Sequence, residues 1–382
     1  MNLRGKSAKV AFIVSINYAL IEIICISALG FLRYRGLNYD PIDTLALSDN
    51  QINSIRRFSA NESGYIRFDR TLGWSIRKDS RTGNGMYKSN SDGIRGDKDY
   101  TFKITNGKLR ITTFGDSFTH GDDVSNMDTW QSRMESKAPH LEVLNFGVGG
   151  YGLDQAYLRF LEHGSKYESN LVLIGFMTEN INRNRNRFRP FYSRNTGLPF
   201  SKPMFDNTEG SLSLIPSYFR KPKQYNQLLE DKKNTLEGLG ESDFYYHNGI
   251  KSNPYLDWSP AFRMIKLIRH QGVRKLSNPY TTDANALEVT KALFGNFRDK
   301  VESLGQKPIV VIFPSQKDII RCNESKKKNH ESLITYFRSN NFDFIDLTDQ
   351  LCKHKVVDIF NGHYNQLGNT IVAETLLRHI SK

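Results

Sequence analysis

Four short stretches of this chain hold side chains able to do acyl chemistry. Gly115-Asp116-Ser117-Phe118-Thr119-His120-Gly121 sets a serine between glycines, which let the backbone turn tightly and bring N–H groups near the hydroxyl. Asn145-Phe146-Gly147-Val148-Gly149-Gly150-Tyr151-Gly152 has glycine enough for backbone to approach a ligand closely. Gly175-Phe176-Met177-Thr178-Glu179-Asn180 ends on a carboxamide, and Asp358-Ile359-Phe360-Asn361-Gly362-His363-Tyr364-Asn365 offers an imidazole far downstream. A hydroxyl nucleophile, backbone N–H donors, a side-chain amide and a histidine base are the parts of an acyl-transfer site. Asp116 reads as a structural acceptor in its own turn. His120, one helical turn beyond Ser117, competes with His363 as base, and a locally satisfied histidine is the simpler account of it.

These residues need elements to hold them. LRITTFG (109–115), LEVLNFG (141–147), LVLIGFM (171–177), PIVVIFP (308–314) and FDFIDL (342–347) read as buried strands. Helical patterns fall between them, near 129–137, 153–164, 284–304 and 324–339, with a last helix over 366–380. Strand–helix alternation with continuous apolar strands predicts a parallel sheet covered on both faces. In such sheets chemistry collects beyond the carboxyl ends of the strands, where the first three blocks lie. The stretch from about 182 to 283 is too long for a plain connection and reads as an insertion over the site. Residues 33–108 are polar and turn-rich, a lead-in of short strands and loops.

Together these blocks resemble the SGNH (GDSL-type) hydrolase family, over about 109–382 with the insertion interrupting. The resemblance implies a flavodoxin-like three-layer α/β sandwich. It also implies a serine nucleophile at Ser117 and a general base at His363. The oxyanion hole would come from the Ser117 N–H, the Gly150 N–H and the Asn180 amide, with Gly147 and Gly149 leaving the register of the glycine open. The family usually has an Asp three residues before the His, where this chain has Phe360. Asp358 is then the expected acid, Asp346 the spare, and a backbone carbonyl the third option. G-x-S-x-G is absent, which argues against an ordinary α/β-hydrolase. The implied activity is that of a serine esterase working through an acyl-enzyme, on O-acetyl groups of an envelope glycan by analogy with relatives. An O-acyltransferase using the same residues, or a silent glycan-binding subunit of an envelope polysaccharide complex, are the alternatives. No metal or organic cofactor is implied.

Val10 to Leu32 carries one charge, Glu22, and as a helix would cover roughly 35 Å. It reads as an uncleaved transmembrane anchor over 10–32 and not as a signal peptide, whose apolar core is shorter. Arg4, Lys6 and Lys9 before it suggest a cytoplasmic segment 1–9 and an extracytoplasmic, periplasmic bulk. Glu22 and Asn17 are expected to face a partner helix, since an ionisable group in lipid is costly. Arg183, Arg185, Arg187 and Arg189, interleaved with aromatics just after Asn180, are expected to meet an anionic glycan or lipid headgroup. Three cysteines exclude a disulfide scaffold, although Cys322 and Cys352 could pair in an exported domain. The net charge of +13 favours anionic partners, but no nucleic-acid module accompanies it.

Overall fold

Five apolar runs pair side by side as parallel strands: β1 (Leu109–Phe114), β2 (Leu141–Asn145), β3 (Leu171–Met177), β4 (Lys307–Phe313) and β5 (Phe344–Asp346). Their order across the sheet is β2-β1-β3-β4-β5, the flavodoxin-like arrangement. The computed structural model describes residues 3–381 apart from 209, 210, 277, 282, 283 and 326. Alternate side chains of each strand enter two separate cores. One holds Phe114, Leu144, Ile174, Phe176 and Ile312 with Phe160, Phe294 and Phe297 from helices Leu153–Glu162 and Ala284–Ser303. The other holds Ile111, Val143, Leu173, Val311 and Phe313 with Trp130, Met134, Val372 and Leu376 from helices Trp130–Lys137 and Gln366–Ile380. Burial on both faces makes the three-layer sandwich, and the charged residues inside the strands, Arg110 of β1 and Glu142 of β2, are buried as a pair.

The expected helix over 324–339 is two helices, Gln316–Ser325 and Glu331–Ser339. Ser315 and Asp318 start the first by bonding each other's backbone or side chain. The break before the second lets Lys328 and the buried His330 turn inward onto Asp346.

The apolar segment near the N-terminus forms α1 (Leu3–Tyr34), which includes a candidate membrane span over Ala8–Tyr34. Met1 and Asn2 of the expected cytoplasmic segment lie outside the described residues. The lead-in, expected as short strands and loops, contains a helix, Asp49–Ser59, besides an antiparallel hairpin, Ile66–Asp69 with Gly73–Ile76. Strand β1 continues through Gly115 and Asp116 into the single-turn helix α2 (Ser117–His120). The insertion is itself structured: a hairpin, Met204–Thr208 with Ser211–Ile215, several short helices and the longer α3 (Pro260–Leu276). Its expected end at 282–283 falls outside the described residues.

Helix α3 packs along α1. Glu22 accepts hydrogen bonds from Ser259 Oγ at 2.5 Å and from the Ala261 N–H at 3.0 Å, so its helix partner is supplied by the same chain. Asn17 instead donates to the Ile13 carbonyl of its own helix at 2.9 Å.

Candidate active site

The turn from β1 into α2 presents Ser117. Asp116 caps the helix, its Oδ1 accepting from the Phe118 N–H at 3.0 Å. As the first residue of the helix, Ser117 has a backbone N–H with no intrahelical acceptor, free for a ligand oxygen. The other carboxylate oxygen of Asp116 accepts from Asn180 Nδ2 at 3.1 Å and lies 3.4 Å from Arg183 Nη1. Burial raises the Asp116 carboxyl above its ordinary range, and Arg183 and these hydrogen bonds oppose that shift. An amide NH₂ has two donors, so fixing one on Asp116 orients Asn180 while leaving the other available.

Gly147 and Gly150 play different parts. A Cβ at Gly147 would come within 2.2 Å of the His120 nitrogen, so this glycine lets the second strand's loop pack on α2. Gly150 has φ of 80°, a left-handed conformation that suits glycine, and its carbonyl accepts from Arg189 Nη1 at 3.0 Å. The lead-in hairpin buttresses this loop. Trp74 Nε1 donates to the Gly149 carbonyl at 3.1 Å, and the Tyr151 hydroxyl donates to the Trp74 carbonyl at 2.6 Å.

His363 opens the second strand of a short antiparallel pair, Phe360–Asn361 with His363–Tyr364, turned at Gly362. Its Nδ1 is 2.8 Å from Asp123 Oδ2, and the same oxygen accepts the His363 N–H at 3.1 Å. A Cβ on Gly362 would approach that oxygen to 2.6 Å, so the glycine leaves room for the carboxylate. Asp123 adopts φ of 69°, uncommon for a residue with a Cβ, with its N–H bonded to the Tyr87 hydroxyl at 2.9 Å.

The acid beside His363 is therefore Asp123, not Asp358. Asp358 is exposed, and it is its backbone carbonyl that accepts from Asn365 Nδ2. Asp346 is engaged elsewhere. Burial alone would raise its carboxyl, but hydrogen bonds from His330, Thr348 and Lys328 hold it well below the usual range. Phe360 joins an aromatic cluster with Phe118 and Tyr364. Asp123 was missed because it sits on the loop after α2, 240 residues from the histidine it contacts. The available signal was the doubled Asp122-Asp123 directly after the serine block.

His120 is fully occupied. Its Nε2 lies 2.9 Å from the Tyr65 hydroxyl, and its Nδ1 lies 2.5 Å from Asp122 Oδ1 and 3.1 Å from Arg95 Nη1. Burial and the neighbouring Arg95 push its pKa down to about 4.

Ser117, Phe118, Gly362 and His363 line one cavity of about 1420 Å³, which also takes in parts of α1, α3 and the insertion. The Phe118 and His363 rings lie 5.1 Å apart. Among the described residues no hydrogen bond joins Ser117 Oγ to His363. Contacts of this kind are often formed only once substrate is bound.

The four arginines divide. Arg183 and Arg185 line the cavity. Arg183 donates to the Tyr151 carbonyl at 2.9 Å as well as facing Asp116, and Arg185 lies over the Phe244 ring. Arg187 and Arg189 turn inward, against the expectation of substrate contact. Arg187 holds the Pro216 carbonyl at 3.1 Å, and Arg189 holds Gly150, its pKa pushed down to about 9 by burial and by Arg183. Backbone carbonyls left over by irregular backbone, Pro216 in the insertion and Gly150 in the loop after β2, need donors, and these side chains meet that need.

Among the described residues no three His, Cys, Asp or Glu side chains gather as a metal-ligand set. Cys322 and Cys352 are joined as a disulfide, with Cα atoms 6.1 Å apart.

No family model matches the chain, and no curated protein matches it. Solved structures do. A member of the lipolytic protein G-D-S-L family from Veillonella parvula is 13% identical, over 72% of this chain and 99% of that one, with a TM-score of 0.34. The acetyl xylan esterase AlAXEase is 11% identical, over 71% of this chain and 100% of that one, with a TM-score of 0.37. An acetylxylan esterase from Geobacillus stearothermophilus is 11% identical, over 73% and 97%, with a TM-score of 0.36. The fold assignment rests on the strand order and the two cores, not on these superpositions.

Proposed function

We propose that the protein is a serine esterase of SGNH type. Ser117 Oγ attacks an ester carbonyl and passes its proton to His363 Nε2, while Asp123 on Nδ1 holds the imidazole and stabilises its charged form. The Ser117 N–H, the Gly150 N–H and the second Asn180 N–H take the developing oxyanion. His363 then protonates the departing alkoxide, leaving an acyl-serine, and water attacks it with His363 again as base. The observation that carries this reading is the His363–Asp123 contact at 2.8 Å on the wall of the cavity that Ser117 lines.

This carboxylate also weighs against a silent glycan-binding subunit. That alternative drew its support from Phe360 standing where the family has its acid. The substrate we favour is an O-acetyl group on an envelope glycan. The Cys322–Cys352 disulfide supports an extracytoplasmic location, because such bonds persist in oxidising compartments. With α1 as anchor, the catalytic region would then face away from the cytoplasm. A cavity of about 1420 Å³ exceeds what a lone acetyl ester needs and could admit a sugar acceptor, which favours O-acyl transfer as a second reading.

The test is to supply the full-length protein with p-nitrophenyl acetate, with and without an acidic oligosaccharide, and to follow acetate and acetyl-sugar. Free acetate alone supports an esterase, and acetyl on the sugar supports the transferase. No turnover, with none lost on Ser117→Ala, would sink both.

A further inference from the structure

The cavity that holds Ser117 and His363 is also bordered by the anchor helix. Ile26, Leu29, Gly30 and Arg33 of α1 line it, and all four lie within the candidate span Ala8–Tyr34. Helix α3 supplies a second wall through Arg263 and Leu267. The two helices are tied by the bonds from Ser259 and Ala261 to Glu22, so α3 follows α1 to wherever α1 meets lipid.

The outer face of this second helix and the turn before it is unusually apolar. Trp258 is 64% exposed, Ile265 63% and Ile268 62%. Trp258 adjoins the bonds to Glu22, midway along the candidate span, so this apolar face would meet lipid wherever α1 does. The cavity itself is basic, lined by seven Arg or Lys and by three Asp or Glu side chains. Its apolar lining on α1 and its polar lining around Ser117 give it two unlike regions.

We propose that the substrate is an anionic amphiphile presented from the membrane. Its lipid tail lies against Ile26 and Leu29, its charged saccharide head occupies the basic cavity, and the ester on that head reaches Ser117. The proposal rests on the esterase reading and narrows its substrate class. A soluble glycan would have no use for a cavity walled by the anchor, and a neutral lipid would have none for the excess of cationic side chains. Desolvated pairing with an anionic group gives charge-assisted hydrogen bonds about twice as strong as neutral ones.

The test uses the full chain in phosphatidylcholine vesicles with three acetyl esters: dodecyl O-acetyl-glucuronide, methyl O-acetyl-glucuronide and dodecyl O-acetyl-glucoside. The proposal expects kcat/KM for the first to exceed the second by at least about tenfold, through burial of the tail. It should exceed the third by about tenfold, through pairing of the charge. The double variant Arg33→Glu, Arg263→Glu should cut the ratio of dodecyl glucuronide to dodecyl glucoside turnover by at least about tenfold. Equal turnover of the methyl glucuronide would overturn the membrane route, and equal turnover of the glucoside would overturn the charge. Fatty acid released from phosphatidylglycerol vesicles in place of acetate would put the ester in the tail and overturn the assignment to the head.

Docking can be read without chemistry. A dodecyl glucuronide with a photoactivatable tail should label 26–33 or α3 in the Ser117→Ala protein, with labelling competed by dodecyl glucuronide and not by methyl glucuronide. Labelling absent from those segments would overturn the proposal. Such labelling with no turnover of any ester would spare the docking and reject the esterase.

Discussion

Two neighbouring aspartates on one loop each hold a histidine, and the two pairs have opposite fates. Asp122 meets His120 Nδ1 at 2.5 Å, and Asp123 meets His363 Nδ1 at 2.8 Å. The His120 side chain is 2% exposed, with both ring nitrogens engaged by Tyr65, Asp122 and Arg95. His363 is 28% exposed and lines the cavity, and among the described residues its only side-chain hydrogen-bond partner is Asp123, on Nδ1. A carboxylate on Nδ1 is therefore not what makes a histidine a base. The second nitrogen must be accessible, and the ring must not be so desolvated that it cannot take a proton. His120, pushed down to about 4, stays neutral and braces α2, whereas His363 is the residue that exchanges protons in the proposed mechanism.

Substitution at the two histidines should separate these roles most widely. His363→Gln is expected to lower kcat on p-nitrophenyl acetate by about 10³–10⁴-fold with little change in thermal stability. His120→Gln should instead cost about 1–3 kcal/mol of stability and keep most activity at low temperature. Reversed results would exchange the roles. Next in size, Asp123→Asn should lower kcat by about 10²–10⁴-fold through loss of the correct tautomer. Asp358→Asn should stay within about twofold, as for an exposed side chain away from the chemistry. A larger loss at Asp358 would restore the acid expected from sequence.

A third prediction concerns pH. The folded-state pKa of His120 lies below the ordinary 6.5, so between pH 6.5 and 4 the unfolded chain binds the extra proton. Stability should fall as pH drops through that window, by about 3 kcal/mol from this residue. His163, also pushed down to about 4 by burial, adds in the same direction. Urea unfolding across the window should therefore flatten in His120→Gln, and an unchanged slope would show that His120 is not buried neutral. Among the proposed site residues the smallest loss is expected at Gly150→Ala. Its φ of 80° makes a side chain strained by about 1 kcal/mol, and displacement of the N–H should cost about tenfold in kcat.

The sheet was legible because its central strands are buried on both faces and so appear as apolar runs, as in LVLIGFM. The helix over 316–325 was not, because its start depends on side-chain bonds between Ser315 and Asp318 that no hydropathy pattern records. Ser117, Asn180 and His363 were singled out by their places beside strand ends and before the last helix. Asp123 is not legible in sequence because its contact with His363 is made only by the fold, across 240 residues of chain. The arginine run was legible as basic and aromatic. Which arginines faced the cavity was not, because that depends on carbonyls of Pro216 and Gly150 left unpaired by irregular backbone.

The central claim is that Ser117 is a nucleophile served by the His363–Asp123 pair. Its most direct test is intact-protein and peptide mass spectrometry of the full-length chain, quenched early after mixing with p-nitrophenyl acetate. The wild-type protein should carry one acetyl group on Ser117, with slower acetylation in Asp123→Asn and none in Ser117→Ala. Equal acetylation of wild-type and Ser117→Ala protein, or a rate indifferent to Asp123, would contradict it.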